Sequence, residues 1–425
     1  MAAPTKATFG LLGRTLGHSW SPKIHAGLGS SPYELIELEP DEVVPFIREG
    51  SWRGLNVTIP YKRVAAEAAD LRSPRVEALG VANTLVHDEQ GRVFAENTDV
   101  LGFGYLLDRF FLECHGQKAC ELLAGRKALV LGTGGAAQAV HASLAERGAQ
   151  TVLISRTGDE TYATLVERHA DAILVVNTTP VGMYPHCPAS PLEPGTLARL
   201  PQLKGVVDVV YNPERTGIVM EAERLGIPAA SGLEMLVAQA YYASALFQHK
   251  TLDEGLVEKI IGQLRRETRN VALIGMPGAG KTTTGRSLAR LTGRPFIDLD
   301  DAFTLRFGMS AATCIRELGE PEFRARETEV LASYGASSGI IIACGGGVVT
   351  QARNYELLHQ NATIVFLDRS IEELSSEDRP LSQAKGVRKL AEERMGLYRQ
   401  WADLAICCTG SAAGDARGIK ATLGL

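Results

Sequence analysis

Residues Asn270–Gly285, NVALIGMPGAGKTTTG, restrict the architecture of this chain more than any other stretch. Gly275, Gly280, Lys281 and Thr282 stand at the offsets of the pattern G-x-x-x-x-G-K-[ST]. The apolar run Val271–Ile274 precedes them, and TTTGRSLARLTG follows with helical spacing. A strand that turns through glycines into a helix belongs to a parallel sheet, and the turn is a ready anion cradle. In such a loop the backbone amides of Gly278, Ala279, Gly280 and Thr283 wrap a β-phosphate, while Lys281 bridges the β- and γ-phosphates. The Thr282 hydroxyl is then placed to ligate Mg2+.

A second glycine turn lies about 140 residues earlier, in ALVLGTGGAAQAV (Ala128–Val140). It reads strand, tight turn, helix, with Gly132, Gly134, Gly135 and Ala136 at the turn. Small residues there let a pyrophosphate approach the backbone. The next apolar run, TVLISRTG (Thr151–Gly158), ends in Ser155, Arg156 and Thr157, where an NAD-binding fold would carry an acidic residue. A guanidinium flanked by hydroxyls suits a 2′-phosphate, so the expected cofactor is NADP(H).

A chain of 425 residues with two such loops is too long for one core, and two or three domains are expected. Hydrophobic residues make up 45% and charged residues 22%, as in ordinary globular proteins. The formal charge of −5 gives no reason to expect nucleic acid or anionic lipid as a partner. No apolar run approaches the roughly 20 residues of a membrane span, and the start, MAAPTKATFG, has no secretory layout. The seven cysteines are scattered with no CxxC pair, so reduced thiols in a cytoplasm are expected rather than a disulfide or zinc framework.

The first hundred residues hold short polar clusters: GHSWSPKIH (Gly17–His25), NVTIPYK (Asn56–Lys62), GVANT (Gly80–Thr84) and ENTD (Glu96–Asp99). Each joins hydroxyl or amide side chains to an apolar strand, which suits a polyhydroxylated small molecule, although turns and caps favour the same residues. Together with NTTPVGM (Asn177–Met183), DVVYNPERT (Asp208–Thr216) and SGLEMLVAQA (Ser231–Ala240), they resemble shikimate dehydrogenase over about residues 8 to 262. That resemblance implies reduction of 3-dehydroshikimate by NADPH, with Lys62 and Asp99 as the catalytic pair. It further implies that Ser19, Ser21, Thr58, Asn83, Asp99, Tyr211 and Gln239 bind the substrate, and that Met183 and Gly232 join the cofactor site. Glu234 replaces a glycine common in the family and is expected near the nicotinamide. Quinate stays open as a side substrate.

Behind the P-loop, PFIDLDDAF (Pro295–Phe303) puts Asp298 and Asp300 at the end of a short apolar strand, on one side of it by strand alternation. GEPEFRARE (Gly319–Glu327) offers Arg324, and ERMGLYRQWA (Glu393–Ala402) offers Arg394; both suit a carboxylate. IIIACGGGVV (Ile340–Val349) ends a strand in three glycines, and Arg379 in EDRPL sits in a polar segment resembling a lid. This set and order resemble shikimate kinase over about 270 to 425. The resemblance implies that Asp300, Arg324, Gly345, Gly346, Gly347 and Arg394 bind shikimate. It also implies that Asp298 joins Thr282 at Mg2+ and Arg379 covers the ATP phosphates. Lys281 and Asp300 are the candidate catalytic groups.

The expected fold is α/β throughout. A dehydrogenase substrate domain (1–100) is closed by returning helices at about 235–262. A Rossmann-like NADP domain spans 101–234, a linker 263–270, and a P-loop kinase with a parallel sheet 271–425. Small molecules are the expected partners, with no nucleic acid and no membrane, and oligomeric state is open. The expected activity is two consecutive steps, reduction of 3-dehydroshikimate and ATP-dependent phosphorylation of shikimate. Two other readings remain: one half is active and the other docks, or the P-loop serves a regulatory switch.

Overall fold

The computed structural model describes residues 8–17, 19–374 and 386–425. Three sheets carry the chain. The first holds β1 (Thr8–Gly13), β2 (Tyr33–Glu37), β3 (Trp52–Val57), β4 (Leu71–Arg72), β5 (Thr84–His87) and β6 (Val93–Glu96), in the order β2-β1-β3-β5-β6-β4. It is mixed: β2 and β3 run parallel to β1, whereas β5 is antiparallel to β3 and to β6. Its core gathers Leu12, Leu55, Val57, Ala65, Leu85 and Ala95, all at most 2% exposed. The polar ends of β1, β3, β5 and β6 therefore come together at one rim.

The second sheet holds β7 (Lys127–Leu131), β8 (Gln150–Ile154), β9 (Leu174–Asn177), β10 (Gly205–Asp208) and β11 (Ala229–Ala230). Every pairing is parallel, in the order β11-β10-β9-β7-β8. β9 and β10 are buried throughout, which explains their unbroken apolar runs. The order reverses at β7, so the carboxyl ends of β7 and β9 flank the crevice where such sheets bind ligands.

The third sheet holds β12 (Asn270–Ile274), β13 (Phe296–Asp298), β14 (Ile341–Ala343), β15 (Ala362–Asp368) and β16 (Leu404–Cys407), all parallel, in the order β13-β14-β12-β15-β16. β12 is central and buried at all five positions. Its carboxyl end opens directly into the P-loop.

Two compact units emerge from the contacts: 1–180 with 191–211 and 221–262, and 263–425 with 181–190 and 212–220. The boundaries expected from sequence differ at the linker and at two stretches of the expected NADP domain, 181–190 and 212–220, which group with the second unit. The stretch anticipated as a linker at 263–270 is helical to Thr268, and Asn270 already begins β12, so Arg269 alone separates them. Val257, Ile260, Ile261 and Leu264 are buried at i, i+3, i+4 and i+7, and this apolar stripe carries the helix through the basic residues. The segment 212–220, expected in the NADP domain, groups with the second unit. There Glu214 pairs with Arg269 at 2.5 Å and its N–H donates to Asn361 Oδ1 at 2.9 Å.

In the first unit the helix Thr98–His115 crosses the helix Leu233–Phe247 at close range. A Cβ on Gly102 would stand 2.8 Å from Gln239 N and from Met235 O, so only glycine permits the approach. This crossing brings Gln239 beside Asp99's helix. No described helix is long and apolar enough to cross a membrane.

Candidate active sites

Lys62 opens the helix Lys62–Ala68 just past the end of β3, and Asp99 is the second residue of the helix that follows β6. Because β3 and β6 flank β5, the two helix starts face each other, and Lys62 Nζ donates to Asp99 Oδ2 at 2.6 Å. The side chains keep 20% and 15% of their exposure, so the pair is sheltered yet reachable. Both line a cavity of about 380 Å³. Ser19, Ser21, Thr58, Asn83, Tyr211 and Gln239 line it too, so the sequence-expected substrate set converges in one place. Tyr211 is held by ring contact with Trp20, 4.9 Å between centroids, and burial raises its pKa.

The glycine turn after β7 reaches the same cavity through Ala136, and Gly232, ahead of the helix Leu233–Phe247, lines it as well. Gly132 has φ +106°, and a Cβ there would press on Thr178 and Thr179 at 3.0 Å. Gly134 caps the helix Gly135–Glu146, and an added Cβ at Gly134 or Gly135 meets no atom within 4 Å. The residues thus fit a pyrophosphate: amides at a helix start, with free space in front of them. Gly232 is required for another reason, since its Cβ would lie 2.0 Å from the Val209 carbonyl oxygen. Ser155, Arg156 and Thr157 form the turn after β8; the Ser155 hydroxyl donates to the Thr157 carbonyl, and Arg156 is exposed. Met183 is 47% exposed and belongs to the stretch grouped with the second unit.

Glu234 differs from expectation. It is buried on the helix Leu233–Phe247 and its carboxylate lies 3.7 Å from Arg109, which also binds Glu113 at 2.7 Å. The neighbouring Met235 and Leu236 line the cavity, whereas Glu234 does not. Helical periodicity turns it toward Arg109, where the carboxylate finds a counter-charge.

The motifs NTTPVGM and DVVYNPERT tie the sheet ends together. Asn177 Nδ2 donates to both Asp208 oxygens at 3.0 Å, and Asn177 Oδ1 accepts from Thr179 N and Oγ1 at 3.0 and 2.7 Å. These bonds fix the loop that borders Gly132.

Beneath the substrate cavity, fully buried His25 stacks on Tyr33 at 4.1 Å and on Phe247 at 5.7 Å. Burial lowers its pKa from 6.5 to about 3, and Asn56 opposes the shift only in part. The folded state therefore holds this ring neutral, and the stability it protects is complete above pH 6.5 and is lost as pH falls toward 3. Each pH unit in that window removes roughly 1.4 kcal/mol. Thermal melts at pH 6.5 and 5.0 should show a loss of about 2 kcal/mol in the first unit. His25→Phe, which keeps the stacking and removes the titration, should flatten the slope. Equal pH dependence in both proteins would contradict this origin.

In the second unit the P-loop has the expected shape. Gly275, Gly278 and Gly280 have φ of +145°, +87° and +91°, and Gly280 caps the helix Lys281–Thr292. Lys281 is 7% exposed, and its ammonium donates to the Gly275 and Met276 carbonyls at 2.9 and 3.0 Å. Thr282 Oγ1 donates to Asp298 Oδ2 at 2.7 Å, so the proposed Mg2+ ligands already adjoin each other. Ala279 is buried in the loop, and Thr283 Oγ1 donates to the Gly280 carbonyl at 2.9 Å.

Asp298 and Asp300 are neighbours for a different reason than strand alternation. Asp298 ends β13 and caps the helix Leu299–Phe307, accepting from Asp300 N at 3.0 Å. Asp300 thus stands in the first helical turn. Arg324 reaches Glu327 at 2.7 Å and Glu320 at 3.1 Å, and Arg394 donates to the Gly346 carbonyl at 3.1 Å. Each glycine of the triplet is packed against something: a Cβ on Gly345 would sit 2.5 Å from Glu327 Oε1, on Gly346 2.8 Å from the Pro277 ring, and on Gly347 2.2 Å from the Arg324 guanidinium. Asp300 Oδ1 would be 3.6 Å from the Gly345 Cβ, so the carboxylate, both arginines and the triplet share one patch. Arg379 lies outside the described residues.

Glu327 is a site residue that sequence reading missed. It is 5% exposed, and burial raises its pKa while Arg324 opposes the shift. Burial alone would lower the Arg324 pKa, but Glu327 and Glu320 more than offset it, keeping the guanidinium charged. Its i, i+3 spacing from Arg324 was the available signal. Gly347→Ala should therefore push the guanidinium off Glu327 and raise the KM for the acceptor bound at this patch by about tenfold, with rates at the Lys62–Asp99 site unchanged; steady-state kinetics at both sites checks this.

The comparisons with known proteins divide the chain between two families. The family model "Shikimate dehydrogenase substrate binding domain" matches residues 11–85, and "Shikimate kinase" matches residues 277–423. The shikimate dehydrogenase (NADP(+)) of Clostridium beijerinckii is 31% identical over 280 residues, covering 61% of this chain and 98% of its own. That of Oleidesulfovibrio alaskensis is 38% identical over 253 residues, covering 54% and 86%. Among solved structures, a chorismate mutase/shikimate 5-dehydrogenase fusion protein from Clostridium acetobutylicum superposes with TM-score 0.55 at 30% identity, covering 61% of this chain and 98% of that one. Shikimate 5-dehydrogenase from Thermus thermophilus, solved with NADP(H) and shikimate, gives TM-score 0.51 at 32% identity over 60% of this chain and 99% of that one. The chain belongs to the shikimate dehydrogenase family and carries, behind that part, a shikimate kinase domain.

Proposed function

We propose that this chain reduces 3-dehydroshikimate to shikimate with NADPH and then phosphorylates shikimate at the expense of ATP. The observation that carries the reading is the cavity in which the Lys62–Asp99 pair faces hydroxyl and amide side chains beside the cofactor turn. NADPH, when bound, supplies the hydride. Lys62 holds a proton for the carbonyl oxygen and stabilises the negative charge that grows on it. Asp99 orients the ammonium and accepts from a substrate hydroxyl. Ser19, Ser21, Thr58, Asn83, Tyr211 and Gln239 bind the remaining oxygens, and Arg156 with Ser155 and Thr157 takes the 2′-phosphate.

In the kinase domain Arg324 and Arg394 bind the acceptor's carboxylate, and Asp300 orients its hydroxyl. Thr282 and Asp298 hold Mg2+, the P-loop amides and Lys281 hold the phosphates, and Arg379 completes the set. The partners are taken to be small molecules, in a cytoplasm where the seven free thiols stay reduced. The test is direct. Purified protein should consume NADPH only with 3-dehydroshikimate present, and should release ADP only with shikimate present. ADP release that ignores shikimate would support a regulatory switch instead.

A further inference from the structure

Against the wall of the substrate cavity lies a set of buried polar groups, of which the proposed chemistry gives a part to Asn83 alone. Tyr33 Oη donates to Asn56 Oδ1 at 2.9 Å, and Asn56 Nδ2 donates in turn to the Asn83 carbonyl at 3.3 Å and to Thr84 Oγ1 at 3.2 Å. Thr84 Oγ1 lies 3.1 Å from Asn83 Oδ1 and 3.0 Å from Thr98 Oγ1. Asn83 Oδ1 also accepts from Thr98 N at 2.7 Å and Thr98 Oγ1 at 3.2 Å. Thr84 and Thr98 are wholly buried, and Asn83 and Asn56 are 3% and 5% exposed.

The proton inventory fixes the directions. The Thr84 oxygen accepts from the Asn56 amide, so its single proton is left for Asn83 Oδ1 or for Thr98. The Thr98 backbone N–H can only donate, and its acceptor is again Asn83 Oδ1. The Asn83 amide therefore holds its oxygen inward, against hydroxyls and the start of the Thr98–His115 helix. Its Nδ2 has no partner among the described residues and is left for the cavity that Asn83 lines. A reversed amide would put an NH2 against the Thr98 N–H, a buried clash of donors. Thr98 also immediately precedes Asp99, so the same bonds set where the helix begins and hence where the carboxylate meets Lys62.

We infer that Thr84 is a positioning residue for the reduction: its hydroxyl, fed by Asn56, locks the Asn83 amide with its donor toward the substrate and sets Asp99 in register with Lys62. The inference rests on the dehydrogenase reading above. It assigns the cavity a donor at Asn83 and an acceptor at Asp99, a pairing that selects an oxygen able to do both, such as a ring hydroxyl.

Thr84→Val keeps the shape and removes the hydroxyl. It should raise the KM for 3-dehydroshikimate by about tenfold and lower kcat severalfold, while the KM for NADPH changes less than twofold. Thr84→Ser, which restores the hydroxyl, should return both constants to within about twofold of the parent. Kinase activity and the melting profile report folding. Thr98→Val removes the second hydroxyl and serves if Thr84→Val does not fold; it should shift the same constants in the same direction. Parent-like KM and kcat in a folded Thr84→Val or Thr98→Val protein would overturn the inference. So would a Ser variant as impaired as the Val variant. A parent protein that does not reduce 3-dehydroshikimate at all would instead overturn the functional reading itself.

Discussion

Lys62→Ala should lower kcat/KM for NADPH-dependent reduction of 3-dehydroshikimate by roughly 10³ and leave shikimate phosphorylation within about twofold of the parent. General acid help is typically worth 10²–10⁴, and among the described residues Lys62 is the one ammonium lining the cavity, 2.6 Å from Asp99. The substitution also leaves Asp99 without its counter-charge in a sheltered position, so the loss should fall on kcat as well as on KM. The kinase reads a separate set of groups around Lys281, Asp300 and Arg324, none of which shares a hydrogen bond with Lys62 among the described residues. Rates of NADPH oxidation and of ADP formation, measured on one preparation, check both halves. Intact reduction in the variant would remove Lys62 from the chemistry.

Lys281→Ala should have the complementary effect, lowering phosphorylation by roughly 10²–10³ with reduction unchanged. In this structure the ammonium is folded onto the Gly275 and Met276 carbonyls, so it closes the loop on itself. On the proposed reading a bound nucleotide would exchange those carbonyls for phosphate oxygens, and the same positive charge would stabilise the transferred group. Loss of the side chain removes that stabilisation and leaves two loop carbonyls short of a donor, worth about 1–3 kcal/mol each where buried. A thermal melt of the variant separates the two effects. Phosphorylation at the parent rate would contradict the P-loop assignment.

Much of both sites was legible because the chemistry sits where local structure is most strongly encoded. Gly132, Gly275 and Gly280 require positive φ, and each marks the place where a buried parallel strand turns into a helix. Lys62 and Asp99 occupy helix starts, within motifs rich in hydroxyl and amide side chains. What stayed hidden depends on direction or on distant partners. Glu234 was expected beside the nicotinamide, yet its helical phase sends it to Arg109. Asp298 and Asp300 were rightly grouped, but through a helix cap that a reading by strand alternation overlooks. The basic residues Arg265 and Arg266 suggested a linker, although the buried stripe ending at Leu264 carries a helix through them. Glu327 was present in a quoted motif, but a carboxylate three residues from an arginine looks like a surface pair until burial is known. Thr84 was likewise quoted, and only its three buried neighbours give it a part.

The two proposed reactions meet at a single oxygen: the first site makes a hydroxyl from a carbonyl, and the second transfers a phosphoryl group to it. One measurement tests that most directly. Protein supplied with 3-dehydroshikimate, NADPH, ATP and Mg2+ should form shikimate 3-phosphate, with NADPH and ATP each consumed once per product. Omission of NADPH should abolish the product, and omission of ATP should stop the sequence at shikimate. Folded protein that oxidises NADPH yet forms no phosphorylated product, or that forms none of either, would contradict the account.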